Sequence, residues 1–519
     1  MIRVDADPGE CLAGETVSLW VSSRSALPTG TFVLHACGAG RDQREDGHDE
    51  DVRGRVAGGS DVPELNSAVA GYRKTYRDAA LSPTRAVRVP LIVVLVLVGV
   101  VLVYAADRAS REGVDHGWFV AVSLSGLFVA RGLHLRRPLT LPHFTVAVLV
   151  LGVSNIAYHN GHPGVGFVCL ASTGFILMLP QNSRPQPDQQ YRVAALVDRT
   201  VGDPLAPFAL HSAKSYFFNA NSTAAVGYRA RFGIAVVAGD PVGNRADFPA
   251  LISEFSEFAM SHGWRIAVLG ASPELTELWR GRAVDHHGLR AIPIGRDVVI
   301  DVEHFDMVGR KFRNLRQAVS RTRNFGVSTE IVKEIEIGAP LRSTLLDIVD
   351  EWGKGHQTRG FSMILDHLLD GRHPGMLLVI ARDADGRVVG FQRYGESNGG
   401  TELSLDVPWR RKDAPNGLDE RMIVDLVDYG RDKGVQRISL AFAAFPELFA
   451  EKERTRSRQA VYVAARTLDP LIRLESLYRF LRKFNSFGDD RFVLIRWREI
   501  VFTAAALLTL EFVPHRKQD

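Results

Sequence analysis

Apolar residues run almost unbroken through one part of this chain and alternate with polar ones through the rest. Positions 89–106 read VPLIVVLVLVGVVLVYAA without a charge. A helix rises about 1.5 Å per residue, so roughly 20 residues cross a hydrocarbon core of roughly 30 Å; a membrane span is predicted here. Weaker apolar stretches follow at 117–130, 139–157 and 164–179. The first and third of these are short for a span, so three or four transmembrane helices are expected between 86 and 180. The span at 89–106 begins too far from the N-terminus to be a signal peptide. Residues 1–85 carry no sustained periodicity and include GRDQREDGHDEDVRGRVAGGSDVPE, which predicts a poorly structured region.

Beyond the polar, proline-containing linker at 181–190 the pattern becomes that of an α+β protein. A first lobe, 191–330, contains the strand-like runs KSYFFN, AAVGYRARFGIAVVAG and RIAVLG, with a helical pattern in DFPALISEFSEFAMSHG. A second lobe, 331–500, offers a helix over 341–353, strands MLLVIARD, VVGFQRYG and TELSLDV, the helix LDERMIVDLVDYGRDKG and the strand VQRISLAF. Three strands, a helix and a strand is an order for a mostly antiparallel sheet. Its partial repetition in both lobes suggests two related domains, with 501–519 as a tail.

Composition adds less than placement. The chain has 519 residues with a formal net charge of +4, and its 46% hydrophobic content is enough for more than one core. Arginines flank the apolar stretches at 85, 88, 131, 136, 137, 184 and 192, while YHNGHP has none. With four spans, this asymmetry puts the N-terminus, the middle loop and everything after 180 on the cytoplasmic side of the membrane. Only Cys11, Cys37 and Cys169 occur, which disfavours structural disulfides and a cysteine-based zinc site in the soluble part.

Candidate chemistry concentrates in three basic segments. RKFRNLRQAVSRTRNFG, from 310, puts Arg313, Arg316, Gln317 and Ser320 on one side of a helix and Phe312, Leu315 and Val319 on the other. No acidic residue interrupts it, so the alternatives are a solvated face or a phosphate-binding one. In LSLDVPWRRKDAPNGLDE, Asp406 stands at a strand end before Arg410, Arg411 and Lys412; it either faces a cleft or pairs with these arginines. Asn416 and Gly417 form a turn, and Glu420 suits the start of the next helix without any substrate. SLYRFLRKFNSFGDDRF interleaves Arg479, Arg482, Lys483 and Arg491 with aromatic residues, a pattern that suits a phosphodiester or a core helix with snorkelling arginines. GDPVG at 239–243 reads as a structural turn. The P-loop, GxGxxG, HExxH and GxSxG patterns are absent, so no nucleotide, metal or other cofactor is expected.

Taken in order, IAVVAGDPVG, GLRAIPIGRDVVIDVEHFDMVGRKFRNLRQAVSRTRNFG, LSLDVPWRRKDAPNGLDERMIVDLVDYGRDKG and LYRFLRKFNSFGDDRF resemble the C-terminal, DUF2156-type domain of bacterial phosphatidylglycerol lysyltransferases, or aminoacyl-phosphatidylglycerol synthases. The resemblance covers about 190–500. It implies tandem GNAT-like acyltransferase domains behind membrane helices, and transfer of a lysyl or alanyl group from aminoacyl-tRNA to the glycerol hydroxyl of phosphatidylglycerol. It further implies catalytic roles for Asp406 and Arg410. Substrate contacts are expected from Lys311, Arg313, Asn314, Arg316, Arg321, Arg411, Asn416, Glu420, Lys483 and Arg491. The partners implied are aminoacyl-tRNA, an anionic lipid and the bilayer. NSFGDD after KF departs from the family's Pro-Trp, and the membrane region is too short to assign lipid flipping. A tRNA-dependent transferase with a soluble amine acceptor, and a non-catalytic membrane-anchored RNA-binding protein, are the competing readings.

Overall fold

The computed structural model describes residues 85–111, 116–281, 288–351, 364–444 and 474–511. The region 1–84, expected to be poorly structured, lies outside these. Four helices come first, α1 (Arg85–Arg111), α2 (Gly117–His134), α3 (Leu141–His159) and α4 (Pro163–Leu177). They pack α1 on α2, α2 on α4 and α3 on α4. Leu149 and Val168 remain 69% and 66% exposed, apolar surface of the kind that soluble helices bury. By length and composition α2 and α3 are sufficient to cross a membrane; the apolar part of α1, Val89–Leu102, and α4 are shorter. Two helices rather than three or four therefore meet the criterion among the described residues.

The remaining helices are α5 (Gln190–Val197), α6 (Phe248–Ser261), α7 (Pro273–Arg280), α8 (Arg313–Asn324), α9 (Ala339–Asp350), α10 (Leu418–Lys433), α11 (Leu474–Leu481) and α12 (Ile500–Glu511). The last of these is a helix where a tail was expected. The strands are β1 (Ser215–Phe218), β2 (Ala224–Arg231), β3 (Ile234–Ala238), β4 (Val242–Gly243), β5 (Arg265–Ala271), β6 (Arg290–Asp301), β7 (Ser328–Lys333), β8 (Met376–Arg382), β9 (Val388–Ser397), β10 (Glu402–Arg410), β11 (Arg437–Ala444) and β12 (Phe487–Ile495). They form one sheet in the order β1-β2-β3-β5-β12-β6-β11-β10-β9-β8-β7, with β4 on β2.

Two pairs are parallel, β3 with β5 and β10 with β11; the other described pairs are antiparallel. Each parallel pair is joined by a helix, α6 or α10, as a crossover requires. The same strand-helix-strand unit thus occurs once in each lobe. The lobes are not separate sheets: β12, from the far end of the chain, inserts between β5 and β6, and β6 in turn pairs with β11.

Helices cover both faces. α8 and α10 lie over a core that includes Leu315, Val319, Met422, Leu426, Leu403 and Phe484, and α9 covers the opposite face through Leu345 and Ile348. In the first lobe α6 buries Phe248, Leu251, Ile252, Phe255 and Ala259, the i, i+3, i+4 spacing of its apolar side. β8 and β9 are buried over nearly their whole length, as central strands covered on both faces must be. The membrane helices meet this body at the loop between α2 and α3. A Cβ on Gly263, whose φ is 68°, would lie 2.7 Å from Arg137 Cα, so only glycine lets that loop approach. Trp264 Nε1 donates to Gln181 O, just beyond α4.

Candidate active site

β10 and β11 pair only over Glu402–Ser404 and Arg437–Ser439. Beyond that point β10 stays with β9 while β11 stays with β6, so the two strands part and leave a wedge in the sheet. The turn before α10 lies near its mouth. Gly417 has φ 101°, and a Cβ there would meet Ala318 of α8 at 3.0 Å. The turn is thereby held against α8.

On this side the sequence motifs come together. Arg310–Phe312 and Arg482–Phe484, both RKF and both single 3-10 turns, touch each other, and the second also touches α8. Phe312 and Phe484 point into the core and leave the adjoining cations outside. Lys311, Arg313, Asn314 and Arg321 are exposed, while Leu315, Ala318, Val319 and Thr322 are buried, matching the predicted seam. No acidic residue occupies the first turn of α8, so nothing on that helix offsets its positive end. Lys483 pairs with the buried Glu420 at the start of α10, and Arg410 Nε lies 3.8 Å from Asp419 Oδ2. Burial pushes the Asp419 carboxyl up, with Arg410 opposing. Asn416 is exposed on the intervening turn.

Other predicted residues are engaged differently. Arg316 donates to the carbonyls of Met307 and Gly309 and secures the loop before α8. Arg411 pairs with Glu351, and its Nε donates to Val388 O. Asp406 is buried, neither facing a cleft nor pairing with Arg410 or Arg411, which corrects both expectations. It sits at a bulge in β10, where Oδ2 accepts from Arg393 Nη1 at 2.9 Å and Oδ1 from Leu365 N at 2.7 Å. Arg393 also holds Glu334, with Nε to Oε2 at 2.5 Å. Neighbouring Tyr394 packs on the α8 and α10 side, so by strand alternation Arg393 and its carboxylates occupy the other face. Burial raises the Asp406 carboxyl, while Arg393 and the Leu365 N–H pull it back.

Arg491 is also removed from the basic surface. Its guanidinium meets three carboxylates: Nε to Asp297 at 2.7 Å, Nη1 to Asp240 at 3.2 Å and Nη2 to Asp203 at 3.0 Å. Gly270 O accepts a further bond from Nη1. Arg491 and the three aspartates line a cleft of about 690 Å³ with Arg437, Glu274 and Asp489 on its walls. Burial pushes Asp240 up to about 6, reinforced by Asp203 and opposed by Arg491; burial likewise takes Asp297 to about 6 against the pull of Arg491.

Sequence reasoning missed Glu334, Arg393, Asp203 and Asp297, and saw Asp240 only as part of a turn. Arg393 had one available signal, a lone charge within VVGFQRYG, a run otherwise suited to burial. The three aspartates are far apart in sequence and carry none.

With this geometry in place, comparison with known proteins is informative. Residues 194–494 match the family described as phosphatidylglycerol lysyltransferase, C-terminal. The chain is 48% identical over 402 residues to an MprF-like domain protein of Mycobacterium tuberculosis, covering 77% of this chain and 83% of that protein. It is 34% identical over 324 residues to the lysylphosphatidylglycerol biosynthesis bifunctional protein LysX of Nocardia farcinica, covering 62% of this chain but 28% of that longer protein. The fold resembles that of L-PGS from Bacillus licheniformis, with TM-score 0.53 and 19% identity over 63% of this chain and 97% of that one.

Proposed function

Because the chain belongs to the phosphatidylglycerol lysyltransferase family through its C-terminal region, we propose that it is a membrane-bound aminoacyltransferase. Its donor is aminoacyl-tRNA and its acceptor the glycerol hydroxyl of phosphatidylglycerol or a related anionic lipid. The observation that carries this reading is the continuous basic surface built from Arg310–Phe312, α8 and Arg482–Phe484 beside the wedge between β10 and β11. It is a surface with cations outside and apolar anchors inside, suited to a phosphate backbone. The repetition of three strands, crossover helix and parallel strand supports a tandem GNAT-like arrangement.

The chemistry asks little of the protein beyond placement. The lipid hydroxyl loses its proton as its oxygen bonds to the acyl carbon; the ester bond to the ribose breaks, and the ribose oxygen takes up a proton. The ester is already activated, so no nucleotide is consumed. In this reading Lys311, Arg313, Asn314 and Arg321 hold the RNA end, and Arg410 and Lys483 hold phosphate near the developing oxyanion. Glu420 positions Lys483 and Asn416 borders the same surface. Asp406 acts as a positioning residue: through Arg393 and Leu365 it fixes the strand that carries Arg410.

All of α1–α4 are read as spans, which with the arginine distribution puts the transferase region in the cytoplasm. The presence of a membrane region favours a lipid acceptor over a soluble amine. The test is reconstitution in phosphatidylglycerol vesicles with lysyl-tRNA or alanyl-tRNA, followed by mass spectrometry of the lipids. An aminoacylated lipid with release of deacylated tRNA is expected. Product only on soluble amines, or RNA binding without deacylation, refutes the proposal. Arg410→Ala is expected to lower transfer at least about tenfold, the loss of one charge-assisted phosphate contact.

A further inference from the structure

We infer that α12 lies in the headgroup region of the bilayer that α2 and α3 cross, so that the first lobe is held against the membrane surface at a second point. This goes beyond the transferase reading and requires only that α2 and α3 are spans. From Ile500 to Leu510 the helix carries no charge. One side, with Thr503, Ala506 and Leu510, is buried, and Ala506 and Leu510 join a cluster with Ile234, Val236 and Val493. The other side is equally apolar but uncovered: Val501 is 73% exposed, Phe502 54% and Leu508 57%, with Trp497 at 63% just before the helix. A helix apolar on every side is ordinarily buried on every side, and nothing else among the described residues covers this face.

The occupant follows from what lies beside it. Glu499, immediately before α12, pairs with Arg265 at 3.3 Å. Arg265 is two residues from Gly263, which packs on Arg137 in the loop between α2 and α3. Arg265 N also bonds to Gly233 O, and Gly233 faces Pro180 beyond α4. The start of α12 is therefore tied to the ends of the membrane helices, where the headgroups must be. At 12 residues it is about 18 Å long, too short to cross a core of roughly 30 Å but long enough to lie on one. Exposed Trp497 and Arg498 are the aromatic and basic pair that favours such an interface.

The test uses the full chain with Cys11, Cys37 and Cys169 replaced by serine and a bimane label on Phe502→Cys, in nanodiscs of phosphatidylcholine and phosphatidylglycerol. A lipid bearing a nitroxide on its acyl chain is expected to remove most of the emission, and aqueous iodide little of it. A label on Asp385→Cys, in the exposed turn between β8 and β9, is expected to respond to iodide alone. Val501→Cys repeats the measurement should the first variant fold poorly. Iodide quenching at 501 and 502 equal to that at 385 overturns the inference. So does shielding without lipid quenching accompanied by a dimer mass, since a second copy of the chain then covers the face.

Discussion

Arg393 in β9 and Arg491 in β12 are both buried guanidiniums gripped by carboxylates, yet they differ in what lies behind them. Arg393, Glu334 and Asp406 have side chains that are 0%, 0% and 1% exposed, so two anions and one cation are sealed in the second lobe. Arg491 binds one carboxylate more, and its partners line an open cleft in the first lobe. The sealed cluster has one carboxylate more than it has cations, and water cannot relieve a loss there. The open one carries an excess of negative charge that protons, water or a cation entering the cleft can offset. A closed ionic knot fixes a strand, whereas an open one leaves a responsive wall.

The largest effect that follows is on stability. Arg393→Met strands two carboxylates and is expected to cost about 3–5 kcal/mol in urea unfolding. Arg491→Met is expected to cost less, about 1–3 kcal/mol, because the aspartates it abandons face the cleft and protonate readily. Equal costs for the two would break the distinction.

The pH dependence sharpens it. Asp240 and Asp297, pushed from 3.8 to about 6, keep protons in the folded chain that the unfolded chain has released. Their contribution is therefore fully present below about pH 4 and falls as pH rises through about 6. A decline of up to about 3 kcal/mol for each group between those values is expected in urea melts, with Asp297→Asn flattening the curve. A curve unchanged by that substitution would place the titration elsewhere.

The smallest effect concerns cations with no such enclosure. Arg313→Ala and Arg321→Ala are each expected to reduce the logarithmic salt dependence of RNA binding by about 1, with stability changed by less than about 0.5 kcal/mol. If either substitution unfolds the protein, the basic face is part of the core rather than a surface laid over it.

Local pattern made much of this legible. The helices α6, α8 and α10 carry their periodicity in their own residues, the strands β8, β9 and β10 show as short runs suited to burial, and Phe312, Leu315 and Val319 are identifiable from spacing as one buried side. The RKF turns at 310 and 482 were visible as basic segments, though not that they touch. What sequence could not supply was pairing at a distance. Asp406 reads as a cleft residue at a strand end or as a partner of the arginines that follow it, whereas its partner is Arg393 on the neighbouring strand. Arg491 reads as one more surface cation because Asp203, Asp240 and Asp297 are remote in the chain. β6 and β12 alternate poorly, since bulges interrupt the register of each along its length.

The position of β12 has a consequence for how the protein is made. The first lobe's sheet has a gap between β5 and β6 that only Phe487–Ile495 can fill. During synthesis β1–β5 emerge early, but their outer edge stays unpaired until Phe487–Ile495 has left the ribosome. The two lobes therefore cannot mature one after the other as independent beads, and a nascent chain halted before residue 487 is expected to expose a bare strand edge open to wrong partners.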